Sequence, residues 1–201
     1  MFGDRFAARM AARYRKKGLD RTARRMVELL VDRGVQGATV LEIGGGLGEI
    51  GLELLRRGAA SATNLELSPA YEAEAVALVA EAGLTGRVRR RLVDIAVDPD
   101  AVEPADILVL HRVVCCYPDY AGLLGTAAEH TRRELVFSFP PRNAVSRAFV
   151  ATLNELLRLA RREFRVFTHP PAAMFAVLAE HGLHPTHAHR GAVWRIATAT
   201  R

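Results

Sequence analysis

The residues best suited to binding a ligand are four glycines and a carboxylate in the stretch Glu42-Ile43-Gly44-Gly45-Gly46-Leu47-Gly48. Glycine adopts positive φ without strain and lets a ligand approach the backbone, so the cluster indicates a turn built around a bound molecule. Apolar residues from Val40 precede it as a strand, and Glu49 to Arg57 follow it as a helix that ends at Gly58. A strand, a glycine turn and a helix in this order form the nucleotide-binding opening of a doubly wound α/β domain.

Two cofactors compete for this turn. Gly46 to Gly51 matches the dinucleotide pattern G-x-G-x-x-G, and Glu66 lies twenty residues past Gly46, which on its own permits NAD. The turn, however, begins at Gly44, two residues before that match, and the Glu42 carboxylate would repel a pyrophosphate and attract an ammonium group. The register therefore favours S-adenosylmethionine, which carries an ammonium and a sulfonium and has no phosphate.

The form E-x-G-x-G, present here as Glu42-Ile43-Gly44-Gly45-Gly46, resembles motif I of the class I S-adenosylmethionine-dependent methyltransferases. The resemblance extends over about residues 38–200 and implies an α/β, doubly wound, Rossmann-like fold: a mostly parallel seven-stranded sheet with an antiparallel last strand. It also implies that S-adenosylmethionine binds at the turn and leaves as S-adenosylhomocysteine. The cofactor-binding residues assigned to the turn are Glu42, Gly44, Gly46 and Gly48.

Two further acids end strands that the pattern predicts at residues 62–67 and 87–93. Glu66 lies where a doubly wound fold places an acid that accepts hydrogen bonds from both ribose hydroxyls, and Leu67 beside it is assigned to the same site. Asp94 follows the second of these strands. The methyltransferase resemblance implies that Asp94 meets the exocyclic amine of adenine and that its apolar neighbour Ile95 covers the ring.

The stretch His111 to Asp119 follows a continuous apolar run, Asp106 to Leu110, that predicts a central strand buried on both faces. Ligands of open α/β sheets lie beyond the C-terminal strand edge, so this stretch faces the predicted pocket. His111 is the first candidate general base for a hydroxyl acceptor; its other interpretation is packing on the adenine or a local hydrogen bond. His169, on a loop before a helix, is the second candidate base, and Tyr117 is a candidate for orienting the substrate.

Two other clusters of reactive side chains are assigned no chemistry. Cys115 and Cys116 invite a covalent role, but cysteine is also a small and usually buried apolar residue, so packing is the favoured interpretation. His184, His187 and His189 invite a metal site. On a strand only the last two share a face, and no carboxylate or cysteine completes the set, so no metal is predicted.

The first 36 residues carry the chain's entire excess of positive charge. They hold ten arginines and lysines against four acids, a net charge of +6, whereas the remainder is balanced. We interpret residues 1–36 as a basic N-terminal helical cap and residues 37–201 as the S-adenosylmethionine-binding domain. The charge is either a solvated helix face or an attraction for an anionic substrate.

The remaining elements follow from hydrophobic periodicity. Residues 2–16 predict an amphipathic helix with Phe2, Phe6, Met10 and Tyr14 on one side, which packs on its own domain or closes over the pocket. Asp20 caps a second helix. The other predicted elements are helices at 69–82, 120–130, 144–163 and 172–181, a strand at 134–139, an extended piece at 164–168, and a terminal hairpin at 184–190 and 193–198.

Length and composition narrow the class of protein. A chain of 201 residues, half of them hydrophobic, suits one domain with a sizeable core. No apolar run reaches transmembrane length, and the first residues lack the apolar region of a signal peptide. The two cysteines are adjacent and therefore poorly suited to a structural disulfide, so we expect a cytoplasmic protein.

These observations predict a cytoplasmic class I methyltransferase that acts on a small-molecule acceptor, anionic if the basic cap attracts it, with oxygen as the preferred nucleophile. One alternative is an RNA or other nucleic-acid methyltransferase that uses the basic N-terminal segment as a phosphate footprint. The N-P-P-Y-type tetrapeptide typical of amino-group methylation of bases is absent, which argues against it. The other alternative is a non-catalytic protein that keeps the cofactor fold. The acceptor and the oligomeric state stay open.

Overall fold

Seven strands form one mixed sheet in the computed structural model, which describes residues 3–162 and 164–201. The strands are β1 Thr39–Ile43, β2 Ser61–Glu66, β3 Val88–Leu92, β4 Ala105–Leu110, β5 Thr131–Phe139, β6 His184–Arg190 and β7 Arg195–Thr200. Their order across the sheet is β3-β2-β1-β4-β5-β7-β6. The strands from β1 to β5 pair in parallel, and β7 is antiparallel to both β5 and β6. The predicted seven-stranded, mostly parallel sheet with an antiparallel last strand is confirmed.

Helices cover both faces of the sheet. They are α1 Asp4–Lys17, α2 Arg21–Asp32, α3 Glu49–Arg56, α4 Glu72–Glu81, α5 Tyr120–Glu129, α6 Ala144–Leu159 and α7 Pro171–Glu180. The first four pack on one face around Val40 and Val109, and α5 and α7 pack on the other around Leu108 and Phe137. The residues 107–110 of β4 are fully buried, as the apolar run predicted. In the described part of the chain, no helix is both long and apolar enough to cross a lipid bilayer.

The N-terminal helices pack onto the sheet as part of the same core. Tyr14 is buried, and its hydroxyl donates to Glu53 of α3 over 2.8 Å, while Arg15 forms an ion pair with Glu81 of α4. Asp20 caps α2 as predicted, since its carboxylate accepts from the backbone amides of the first turn. The apolar side of α1 thus packs on its own domain; Phe2, the first residue of the predicted stripe, lies outside the described residues.

The segment between β5 and α7 differs from the prediction. Helix α6 ends at Leu159, earlier than predicted; Glu163, the predicted end, lies outside the described residues. It buries none of its side chains, and its apolar residues Phe149 and Leu156 are 67% and 58% exposed. Residues 164–168 form no strand, because their backbone hydrogen bonds go to a side chain of α6 and to the loop after β4.

Candidate cofactor and acceptor site

The candidate site lies along one edge of the sheet. Because β1, β2, β3 and β4 run parallel, their C-terminal ends meet at this edge. The glycine turn follows β1, Glu66 ends β2, Asp94 follows β3 and His111 follows β4. The structure therefore brings together all the strand-end residues that the sequence assigned to the cofactor.

The glycine turn has the backbone that its sequence demands. Gly44, Gly46 and Gly48 all adopt positive φ. At Gly45 the constraint is space, since a Cβ there would lie 2.1 Å from the Asn64 side-chain nitrogen. At Gly46, by contrast, a Cβ would make an ordinary contact with the Tyr71 ring, whose nearest carbon would lie 3.6 Å away, so space alone does not demand glycine there.

Glu42 lies beneath the turn and is 3% exposed. Its Oε2 accepts a hydrogen bond from the Gly51 backbone amide over 3.0 Å and one from Asn64 over 3.4 Å. Burial raises the pKa of Glu42 to about 7. The carboxyl group thus joins the strand to helix α3. A Cβ on Gly51 would lie 3.1 Å from this carboxyl oxygen, so close packing explains the third glycine of the partial dinucleotide pattern.

Arg90 completes the support of the turn, and the sequence did not single it out. It lies on β3 with its side chain 8% exposed, donates from Nη2 to the Gly46 carbonyl over 3.0 Å, and pairs with Glu72 over 3.1 Å. The signal in the sequence was three consecutive arginines on a strand next to the site, of which only the middle one points under the turn.

Glu66 contacts the turn directly. One carboxylate oxygen accepts from the Gly46 amide over 2.9 Å, and the other accepts from the Leu67 and Ser68 amides over 2.8 and 2.9 Å. The Leu67 side chain beside it is 49% exposed, so an apolar surface stands next to the carboxylate. The ribose-binding role of Glu66 stays a prediction that this position suits.

Asp94 and Tyr117, assigned separately to adenine and to substrate, form a pair. The Tyr117 hydroxyl donates to Asp94 Oδ2 over 3.0 Å, and burial together with this contact raises the pKa of Tyr117 to about 12. The other Asp94 oxygen accepts from the Ala96 amide. Ile95 is 1% exposed and belongs to the core, so Leu67 rather than Ile95 offers an exposed apolar side chain at this edge.

His111 is held at both ring nitrogens. Nδ1 lies 3.0 Å from Ser138 Oγ on β5, and Nε2 lies 3.4 Å from Asp20 Oδ2 on the cap. Because the Asp20 carboxylate can only accept, a neutral ring carries its proton on Nε2 and donates it to Asp20, and Nδ1 accepts from the Ser138 hydroxyl, whose oxygen in turn accepts from the Arg112 backbone amide. Burial lowers the pKa of His111, so the ring is neutral at pH 7. Its role as a base stays a prediction.

Asp20 links the cap to the end of β4, a contact the sequence did not reveal. Its Oδ2 also pairs with the Arg112 guanidinium over 3.0 Å. Burial alone would raise the pKa of Asp20, but hydrogen bonds from His111 and the Ala23 amide and the charge of Arg112 hold it well below its usual range. Arg112 has a φ of 60° and stacks 4.9 Å from the Trp194 ring. Such strained backbone is concentrated at functional sites.

Glu49, the first residue of α3, carries a second carboxyl group at the turn. Burial, with a smaller contribution from the charge of Asp20, raises the pKa of Glu49 to about 7, although the charges of Arg13 and Arg112 lower it. The charges of one other acid and two arginines therefore act on Glu49 where α3 begins. The sequence did not single out Glu49, because only the fold brings the charge of Asp20 to bear on it.

His169 and the two cysteines lie beside Tyr117. His169 Nε2 is 3.0 Å from the Tyr117 carbonyl oxygen, and its ring stacks on Phe167 at 5.5 Å. The hydrogen bond that Cys115 shares with Cys116, together with burial, raises the pKa of the buried Cys115 thiol above its ordinary value. These contacts agree with packing rather than covalent chemistry for Cys115.

Two of the three histidines of the C-terminal hairpin contact different neighbours. His187 lies against the Phe175 ring at 4.8 Å, and His189 Nε2 is 2.5 Å from a guanidinium nitrogen of Arg25. In the part of the chain that the structure describes, no three His, Cys, Asp or Glu side chains are grouped so as to hold a metal ion.

No protein-family model matches the sequence, and no curated protein matches it. Solved structures do. Magnesium protoporphyrin IX methyltransferase from Synechocystis with bound SAH superposes with a TM-score of 0.71 at 22% identity, over 90% of this chain and 81% of that one. A TehB-like SAM-dependent methyltransferase from Corynebacterium glutamicum gives a TM-score of 0.66 at 16% identity, over 97% of both chains. An O-methyltransferase family protein from Burkholderia thailandensis gives 0.72 at 20% identity, over 90% of this chain and 56% of that one.

These similarities confirm the predicted fold independently of the glycine motif. The similarity to the Corynebacterium glutamicum protein extends over 97% of the chain, so it includes the N-terminal helices as well as the sheet. Together with the strand order and the antiparallel β7, these similarities show that this chain has the fold of the class I S-adenosylmethionine-dependent methyltransferases.

Proposed function

We propose that this protein is an S-adenosylmethionine-dependent methyltransferase that acts on a small-molecule acceptor through an oxygen nucleophile. The observation that carries the proposal is the glycine turn between β1 and α3, where the Glu66 carboxylate accepts from the Gly46 amide and the exposed Leu67 side chain stands beside that carboxylate. This arrangement lies at the C-terminal edge of the sheet, where open α/β folds bind their ligands.

The charges around the turn fit S-adenosylmethionine better than a dinucleotide. A dinucleotide places its pyrophosphate at the N-terminus of the first helix, where it needs free amides and no nearby negative charge. Here Glu49 is the first residue of that helix, and Asp20 stands close to it. The same place suits a zwitterion: the two acids suit the ammonium of the methionine moiety, and Arg13 and Arg112 suit its carboxylate.

The other groups would be held by the strand ends. In this proposal the Glu66 carboxylate accepts from the ribose hydroxyls, Asp94 accepts from the adenine amine, and the exposed Leu67 side chain covers an adenine face. When bound, the cofactor supplies a methyl group on a positively charged sulfur, which takes back the electron pair of the broken carbon–sulfur bond when a nucleophile displaces it. The protein then has to align the nucleophile and exclude water.

The hydrogen bonds of the two candidate bases determine which kind of acceptor oxygen can react. Neutral His111 is engaged at both nitrogens, and His169 uses Nε2 on the Tyr117 carbonyl. His111 acts as a base only if an acceptor hydroxyl replaces the Ser138 hydroxyl at Nδ1. An acceptor oxygen that is already ionised needs no base. In that case the role of His111 is to hold the loop after β4 against Asp20 of the cap and Ser138 of β5.

The nucleic-acid alternative receives less support. Two of the ten basic residues of the cap are paired within the protein: Arg15 with Glu74 and Glu81, and Arg33 with Glu134. Their charges are therefore only partly available for phosphates.

A cytoplasmic location is part of our proposal, supported by the free thiols of both cysteines.

The test is formation of S-adenosylhomocysteine. Purified protein is incubated with S-adenosylmethionine and panels of small carboxylic acids and phenols, and the product is measured by mass spectrometry. We expect product above the acceptor-free rate with at least one panel, loss of it in Glu66→Ala, and an unchanged rate in Glu155→Gln, an exposed control. Cofactor binding without product from any panel would contradict catalysis and favour the non-catalytic alternative.

A further inference from the structure

A groove of about 610 Å³ lies between helix α6 and residues 166–168. The groove is open to solvent along α6, where Arg147, Ala148 and Ala151 are exposed. Val150, Ala151 and Phe167 supply apolar lining, Asn154 supplies an amide, and Arg147 supplies a charge. No Asp or Glu is present among the described residues that line it.

Hydrogen bonds connect the floor of this groove to the candidate site. The Asn154 side chain donates to the Val166 carbonyl over 2.8 Å and accepts from the Val166 amide over 2.9 Å, which holds the segment against α6. The Phe167 amide donates to the Cys115 carbonyl over 2.7 Å. Cys115 belongs to the loop after β4 that carries His111 and Tyr117, so the groove adjoins the edge at which the cofactor is proposed to bind.

The position of α6 explains why the groove exists. The helix follows β5 at the C-terminal edge of the sheet and buries none of its side chains. It therefore adds little to the core, although the sequence maintains sixteen helical residues with an Asn143 cap that accepts from the Ser146 amide. A helix kept at the ligand edge without a role in the core is suited to forming one wall of a binding site.

We propose that this groove binds the methyl acceptor, an apolar molecule carrying a carboxylate that pairs with Arg147. The inference rests on the proposed function and names its substrate class. The apolar wall excludes a strongly hydrated ligand, and the single cation without a neighbouring acid in the lining selects a negative group. A nucleic acid would require several cations along its backbone, which this lining does not offer.

The probe is 4-phenylbutyrate, with 4-phenylbutanol as its uncharged match, titrated into the full chain. Binding is followed through the NMR shift of the Asn154 side-chain amide. We expect saturable shifts with the acid and about tenfold weaker binding of the alcohol, the ratio that one charge-assisted hydrogen bond provides. Arg147→Gln should abolish this difference, Ala151→Trp should block both probes, and Arg158→Gln, on the same helix outside the lining, should change neither.

The outcomes distinguish a failure of the groove proposal from a failure of the proposed function. The absence of shifts with 4-phenylbutyrate, or equal effects of Arg147→Gln and Arg158→Gln, would overturn the groove proposal even if S-adenosylmethionine binds in a parallel calorimetric titration. Binding of 4-phenylbutyrate to a protein that fails to bind S-adenosylmethionine would overturn the acceptor role together with the proposed function. The two failures are therefore distinguishable.

Discussion

Replacing Glu42 by glutamine should stabilise the protein at alkaline pH. The carboxyl group is 3% exposed, and burial raises its pKa from 4.5 to about 7. Between these two values the folded protein binds more protons than the unfolded chain, so this group lowers the free energy of unfolding as the pH rises. Above pH 7 the folded state carries a buried, ionised carboxylate. Glutamine keeps an oxygen for the Gly51 amide and removes the charge.

The size of the stability change follows from the difference between the ordinary pKa of 4.5 and the folded-state pKa of about 7. This difference corresponds to a destabilisation of about 3 kcal/mol at pH 8, where Glu42 is ionised in both the folded and the unfolded state, and to less than about 1 kcal/mol at pH 5. Glu42→Gln should therefore raise the free energy of unfolding by about 3 kcal/mol at pH 8 and change it little at pH 5. The Gly51 hydrogen bond, retained in the variant, should preserve the turn.

The assay is urea unfolding of both proteins at pH 5 and pH 8, with Glu155→Gln as the exposed control. Glu155 is 63% exposed in its ion pair, so its variant should follow the wild type at both pH values. A Glu42→Gln protein that is less stable than the wild type at pH 8, or equally stabilised at both, would refute the reasoning. A variant less stable than the wild type at pH 8 would mean that ionised Glu42 stabilises the fold.

Three further substitutions test the site. Gly46→Val should abolish S-adenosylmethionine binding yet destabilise the fold by only about 1–2 kcal/mol, because the φ of Gly46 is positive but a Cβ there meets no atom within 3.4 Å. Calorimetry measures the binding, and thermal unfolding measures the stability. Binding that survives the substitution would refute the assignment of Gly46 to the cofactor motif. Asp20→Asn should lower the free energy of unfolding by about 1–3 kcal/mol at pH 7, since it removes the charge that pairs with Arg112 and accepts a hydrogen bond from His111. The pKa of Asp20 is depressed, so this loss should be present above about pH 4 and shrink at lower pH; urea unfolding that shows the same loss at pH 3 would contradict it. Arg90→Met should weaken S-adenosylmethionine binding about tenfold in calorimetry, whereas Arg89→Met, on the exposed side of β3, should not; equal effects would exclude a positioning role.

The sequence was informative wherever the determinant was local. The glycine turn, the Asp20 cap and the buried run of β4 each arise from residue types a few positions apart, and the structure confirms their conformations. The antiparallel last strand came from the family resemblance. The sequence alone did not show that β7 inserts between β5 and β6, because hairpin periodicity is the same on either side of a sheet.

Long-range contacts accounted for what was missed. His111 was assigned from its place after β4, but its partners Asp20 and Ser138 are 91 and 27 residues away. The role of Arg90 depends on which side of an arginine-rich strand faces the glycine turn. Helix α6 has clear helical spacing, yet Phe149 points to solvent, because periodicity indicates an apolar side without identifying what that side contacts.

The most direct test of the account is calorimetric titration of the purified protein with S-adenosylmethionine and S-adenosylhomocysteine, with NAD and NADP titrated alongside. Glu49 at the start of α3, together with the charge of Asp20 that acts on it, predicts binding of the two sulfur ligands and none of the dinucleotides. Binding of NAD or NADP in their place would mean that Gly46 to Gly51 is a dinucleotide fingerprint and would contradict the methyltransferase proposal.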